Sequence, residues 1–209
     1  MLTTTEHQRL VNRCREIPPA KGIYLIDDYV RNMILTVLDY CMRTKAVERA
    51  HDYFVKTHGE LIRTHHQLKD ALLRFPATKE GNTAAARFLW NYRLWTRAQQ
   101  LRGLLDYFEQ RGVTTQEELK EWAREGDFDR DFRGRVPGLA FAVYKWLVMR
   151  QGVETVKPDV HVRRFAETTL GRRLSDQEIV GAFEAVAREL SLRAYELDWR
   201  IWESQRQEI

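Results

Sequence analysis

Two short stretches of the sequence hold its reactive and anion-binding potential. In Arg133-Gly134-Arg135-Val136-Pro137-Gly138-Leu139-Ala140, an apolar-Pro-Gly-apolar turn stands between two segments of helical pattern. Such a turn offers backbone N–H groups at the start of the following helix, where partial positive charge favours an anion such as phosphate. Gly138 lets another backbone come close, although a turn between helices that simply needs a glycine accounts for the same residues. In the second stretch, Val156-Lys157-Pro158-Asp159-Val160-His161-Val162-Arg163-Arg164-Phe165, Pro158 fixes the chain just before Asp159. Asp159 then occupies a helix N-cap position, so its carboxylate is held in place with one edge available; a plain capping aspartate reads the same way. Basic side chains concentrate around both stretches. From Arg130 to Arg173 there are ten Lys and Arg against four Asp and Glu, an excess of six, where the whole chain carries +4. That distribution suits counterion-releasing attraction to a polyphosphate, and equally a solvated basic face.

The segments that must hold these stretches are helical nearly throughout. Asp27 or Asp28 caps a helix whose apolar residues Val30, Ile34, Val37, Leu38 and Cys41 share one face and which is expected to reach about Arg43. A second helix begins near Ala46 with Val47, Ala50, Phe54 and Val55, and a third carries Leu61, Leu68, Leu72 and Phe75 up to Pro76. Residues 78–83, with Gly81 and Asn82, read as a loop; Phe88, Tyr92 and Trp95, then Leu101, Leu104, Leu105 and Phe108, resume helical spacing as one long or two short helices. Capping boxes at Thr115/Glu118 and Ser175/Glu178 open two further helices, an apolar helix runs from Ala140 to about Arg150, and Leu192, Tyr195, Trp199 and Trp202 stripe the last one. Strand alternation is absent, so the expected fold class is all-α.

Turn, apolar helix, a gap of about 20 residues and the Pro-Asp-Val-His-Val-x-Arg run, in that order, resemble the helix-hairpin-helix (HhH-GPD) DNA glycosylase superfamily, of the endonuclease III and adenine-mismatch glycosylase types. Trp95-Thr96-Arg97-Ala98 with Leu101 is similar to an upstream family segment, without its usual preceding glycine, and Val37-Leu38 with Val47, Arg49, Ala50 and Phe54 to the family's first barrel helices; the likeness extends from about residue 28 to 202. The resemblance implies a two-lobed helical fold with a cleft between the lobes. Lobe A is expected over about 1–27 plus 151–209 and lobe B over about 28–150, with the hairpin at about 116–150, all within a single globular unit. It further implies duplex DNA as partner, a base flipped into the cleft, and Asp159 as the carboxylate that stabilises an oxocarbenium-like transition state and aligns or deprotonates water. By the same resemblance the Gly138 and Ala140 amides hold a phosphate, with a monovalent cation at the hairpin in many relatives, and Arg135, Leu139, Lys145 and Arg163 complete the DNA-binding set. Asp39, Tyr40, Tyr144 and Trp146 are candidate walls of the base pocket, with core packing as the competing role for the aromatics.

The departures matter as much. Bifunctional relatives place an amine two residues after the second hairpin glycine; here that glycine is Ala140 and the amine position is Ala142. Lys145 lies about 300° further around the helix, nearly a turn deeper. Excision without strand-cleaving lyase activity is therefore the expectation, and the alternative is a catalytically inactive relative that recognises lesions or DNA structure. Cys41 stands where many relatives have a gap-filling glutamine. With Cys14 and Cys41 as the only cysteines, the four-cysteine iron–sulfur cluster of endonuclease III types has no ligands. His58, His65 and His66 lack metal-ligand spacing, so no metal is expected. The longest apolar run, Leu139 to Tyr144, is far too short to span a membrane, and the first residues lack the pattern of a secretory signal. An intracellular monomer, cytoplasmic or nucleoid-associated, is expected.

Overall fold

In the computed structural model, residues 2–22, 25–39 and 42–207 are described. Tyr40 and Cys41, two of the residues singled out above, lie outside the described residues. The described residues form eleven α-helices and one π-helical turn, with no strand among them. None of the helices is long and apolar enough to cross a membrane among the described residues. The chain divides into two compact units, residues 26–143 and residues 1–25 with 144–209.

The unit of residues 26–143 contains α2 (Tyr29–Leu38), α3 (Thr44–His58), α4 (His65–Leu73), α5 (Lys79–Trp90), α6 (Trp95–Glu109) and α7 (Gln116–Glu125), followed by a π-helical turn at Phe128–Phe132. Every residue of α2 except Arg31 is buried, and a helix apolar on all sides belongs inside its unit. Asn32, a buried polar residue of α2, places its amide nitrogen within hydrogen-bond distance of the Ile26 and Asp28 carbonyls and of Gln116 Oε1, at 2.8, 3.0 and 3.2 Å. Leu89 and Trp90 of α5 and Ala98, Leu101, Leu104 and Phe108 of α6 form the centre of this core, each at 0 % exposure.

Four sequence expectations change here. The first helix stops at Leu38 with Asp39 as its C-cap, and Arg43 already serves as the N-cap of α3. Leu61 stands outside α4 and is exposed, because Thr64 and Gln67 form a capping box that starts the helix at His65. Residues 78–83 are no loop: the Thr78 hydroxyl accepts from the Gly81 amide at 3.1 Å and starts α5. Gly81 is needed there, since a Cβ would lie 2.1 Å from the Pro76 carbonyl oxygen, a backbone atom with nowhere to go. Arg102 then ties the ends together, donating to the Leu72 and Phe75 carbonyls at 2.7 Å each and to Asn82 Oδ1 at 2.9 Å. Finally, Phe88, Tyr92 and Trp95 are half-buried, while the fully packed positions are Leu89, Trp90 and Ala98. Asn91 in the left-handed region ends α5 and turns the chain between the two helices.

His58 and His65 of this unit are buried against aromatic side chains. His58 sits 4.2 Å from the Phe88 ring and bonds the Phe88 carbonyl at 2.6 Å. The Tyr29 hydroxyl donates to the Val113 carbonyl and accepts from His65 Nδ1, both at 3.0 Å.

The other unit contains α1 (Thr4–Arg15), α9 (Val160–Leu170), α10 (Asp176–Glu189) and α11 (Ala194–Gln207), with most of α8 (Phe141–Met149), whose first three residues belong to the unit of residues 26–143. α1 packs on α9 and α10, and α11 packs on both of those helices. Leu10, Val11, Phe165, Phe183, Val186, Leu197 and Ile201 are its buried centre. The packed face of α11 is Ala194, Leu197, Asp198, Ile201 and Gln205, one step from the expected stripe; Tyr195, Trp199 and Trp202 are half-buried beside it. Cys14 is buried in α1, and burial pushes its thiol up to about 12.

Candidate active site

The Val136–Leu139 turn belongs to the unit of residues 26–143. The Leu139 amide donates to the Val136 carbonyl at 3.1 Å, closing a β-turn with Pro137 and Gly138 at its centre, and Gly138 has φ +83°. Proline followed by a positive-φ glycine is the type II pattern. Val136 and Leu139 bury their side chains beneath the turn, while Arg135, Pro137, Gly138 and Ala140 are exposed. The Val143 amide bonds the Ala140 carbonyl at 3.0 Å, so helical winding starts at the turn. Among the described residues the Gly138 and Ala140 amides have no acceptor, which leaves two donors at a helix N-terminus. Just upstream, the π-helical turn is capped by Asp127, whose Oδ1 accepts from the Arg130 amide, and Arg130 bonds Asp131 at 2.7 and 2.8 Å, holding that carboxyl down to about 2. A Cβ at Gly138 would fall 2.3 Å from Gln100 Nε2, the movable end of a side chain, so the conformational strain dominates. Gly138→Ala is expected to lower stability by about 1 kcal/mol, read by denaturant unfolding at constant m-value.

Asp159 belongs to the other unit. It is the N-cap of α9: Oδ1 accepts from the His161 amide at 2.8 Å and the Val162 amide at 3.2 Å. Its own amide donates to the Lys157 carbonyl at 2.8 Å, and its Oδ2 faces Lys157 Nζ at 3.9 Å. The two side chains are 18 % and 17 % exposed, so the pair is reachable from solvent without being bathed in it. Lys157 Nζ also lies 4.9 Å from the centre of the Trp146 ring, and the Arg150 guanidinium 5.1 Å from the same ring. One carboxylate oxygen is thus fixed by amides and the other is turned toward a cation beside an aromatic face.

A second carboxyl stands behind this arrangement. Asp198 of α11 is 5 % exposed, and its Oδ1 accepts from the Lys157 amide at 2.7 Å. Burial, followed by the charge of Asp159, pushes its carboxyl up to about 8, against the pull of the Lys157 amide and ammonium. His161, beside Asp159, is drawn below its ordinary value chiefly by burial, its ring 6.3 Å from that of Trp202. Trp202 in turn lines a recess of about 310 Å³ with Lys21, Glu203 and Arg206.

Of the residues singled out from sequence, Arg135, Gly138, Leu139 and Ala140 share the turn, and Trp146 and Asp159 share the Lys157 surroundings. Tyr144 is 3 % exposed, Lys145 and Ala142 are half-buried on α8, and Asp39 is half-buried at the end of α2. Arg163 is exposed and ion-paired to Asp176. The excess of six positive charges looks different once acids beyond the counted segment are included. Arg133 pairs with Asp129, Arg163 with Asp176 and Arg172 with Glu6. Solvent screens such surface pairs, so each holds its arginine only weakly. Sequence reading missed Lys157 and Asp198. A signal for Asp198 was present: a charged residue at an apolar-face position, between Leu197 and Ile201.

Residues 8–206 match a family described as a domain of unknown function, DUF8548. The chain belongs to the DUF8548 family. Among solved structures, this DUF8548 chain is similar to a trapped endonuclease III–DNA covalent intermediate, an estranged-adenine complex, with a TM-score of 0.60 and 18 % identity over 96 % of this chain and 85 % of that one. The all-helical fold is therefore of the endonuclease III kind. No curated protein matches the sequence.

Proposed function

We propose that this DUF8548 chain is a DNA glycosylase that hydrolyses the N-glycosidic bond of a damaged, modified or mismatched base in duplex DNA, without strand-cleaving lyase activity. The observation that carries the reading is Asp159: one carboxylate oxygen is immobilised by two α9 amides and the other faces the Lys157 ammonium, on a side chain that keeps 18 % of its surface exposed, in a fold of the endonuclease III kind.

In this reading Asp159 Oδ2 acts at the sugar of a flipped nucleotide. As the C1′–N bond breaks, positive charge builds on the sugar ring, and a fixed carboxylate stabilises it without reorganising. The same oxygen aligns water and takes its proton as the water adds to C1′; the base leaves with the bonding electron pair. Lys157 holds Oδ2 in its orientation before substrate arrives, and Trp146 supplies a flat face beside it. The turn at Gly138 contributes backbone amides for a phosphate, which positions the duplex and reads no sequence.

The amine inventory supports the reading without lyase activity. Ala142 offers no nucleophile, and Lys157 Nζ, 3.9 Å from Asp159 Oδ2, is engaged as that carboxylate's counter-ion over Trp146. Borohydride added during reaction is expected to trap no covalent protein–DNA adduct. A trapped adduct lost in Lys157→Ala or Lys145→Ala would contradict this and name the nucleophile. The function itself is tested with duplexes carrying deaminated, oxidised, alkylated and mismatched bases, heated in alkali after incubation. Alkali-dependent breaks at one class of lesion support the reading. Salt-sensitive binding with no breaks in any duplex favours a non-catalytic recogniser.

A further inference from the structure

Asp198 is the one acidic side chain of α11 placed on its apolar face, at 5 % exposure between Leu197 and Ile201. Carboxyl groups are seldom fully buried unless a specific partner holds them, because removal from water disfavours them strongly. A core needs no acid at this position; an aliphatic residue would fill it with less penalty. What the acid does supply is an acceptor, 2.7 Å from the Lys157 amide, across 41 positions of sequence.

Lys157 is also the residue that holds Asp159 in two ways. Its carbonyl accepts the Asp159 amide at 2.8 Å, and its ammonium stands 3.9 Å from Asp159 Oδ2. Pro158, buried between them, cannot donate a hydrogen bond, so the Lys157 amide is the attachment point of the segment just before the cap. We propose that Asp198 is a positioning residue for Asp159: from α11 it anchors the Lys157 amide, and through Lys157 it sets the direction of the Asp159 carboxylate. The inference rests on Asp159 acting in base release as proposed above.

Releasing the Lys157 amide frees the 157–159 segment to shift while Oδ1 remains on the α9 amides, so Oδ2 loses its orientation. Misplacing a reacting group by about 1 Å lowers rates by about 100-fold. The test compares wild type, Asp198→Ala, Asp198→Leu, Asp198→Asn and Asp159→Asn in single-turnover base release at saturating enzyme, with duplex Kd and backbone amide exchange measured alongside. Asp198→Ala and Asp198→Leu, which offer no acceptor, are expected to release base about 10- to 100-fold more slowly with Kd within about twofold, and to exchange the Lys157 amide at least about tenfold faster. Leucine keeps the position filled, so the pair remains informative if the alanine cavity unfolds the protein. Asp198→Asn restores the acceptor and is expected to return both the rate and the protection of the amide. Wild-type rates in Asp198→Ala or Asp198→Leu, or no rescue by Asp198→Asn, overturn the inference while Asp159→Asn remains inert. An inert wild type or an active Asp159→Asn overturns the reading of Asp159 itself, and this inference with it.

Discussion

Asp159→Asn is expected to lower single-turnover base release by about a thousandfold or more, with duplex affinity within about twofold of wild type. The reasoning separates the two jobs of the side chain. Asparagine is as good an N-cap as aspartate, and its Oδ1 accepts from the His161 and Val162 amides as the native oxygen does at 2.8 and 3.2 Å. α9 therefore forms as before and the fold is preserved. What disappears is the charge at Oδ2, which becomes an amide nitrogen facing Lys157 Nζ. Two donors then meet, the developing sugar cation has no counter-charge, and water has no base. A variant within tenfold of wild type on the same lesion would remove Asp159 from the chemistry.

The second large effect is on stability and depends on pH. Asp198 has its carboxyl raised from 3.8 to about 8, first by burial and then by Asp159. An unfolded chain loses this proton near pH 4, whereas the folded protein keeps it until about pH 8. Between those values folding must take up a proton, so the contribution of Asp198 to stability is complete below about pH 4, falls as pH rises and is lost through about pH 8. The substitution Asp198→Asn removes this proton linkage while keeping the side chain's size, so comparing it with wild type isolates one group. The variant is expected to match wild type near pH 4 and to exceed it increasingly toward pH 8, by on the order of a few kcal/mol. Thermal unfolding of both proteins across that range measures it; a difference that does not change with pH would contradict the buried, protonated carboxyl.

Much of the architecture is legible in the residues because the signals are local. Thr115 with Glu118 and Ser175 with Glu178 form the capping boxes their spacing announces, and Asp159 caps a helix directly after Pro158. The boundaries that sequence misplaces are decided by partners distant along the chain. Gly81 and Asn82 look like loop residues until Thr78 caps them and Arg102 of α6 bonds Asn82. The aromatic stripe of α11 suggests an inner face because tryptophan is large and apolar, yet the packed row runs through Leu197, Asp198 and Ile201. Periodicity assigns polar residues outward by default, so it hides a buried acid whose partner is an amide 41 residues away. Charge counting has a similar blind spot: a window from Arg130 to Arg173 excludes Asp129, Asp176 and Glu6, the acids that meet three of its arginines.

The measurement that bears most directly on the proposed activity is chromatographic detection of free base after incubating lesion-bearing duplexes with wild type and with Asp159→Asn. Free base from one lesion class with wild type, none with the variant, and equal duplex binding by both is the predicted result. Free base from both proteins, or from neither across every lesion class while binding persists, would contradict a glycosylase acting through Asp159.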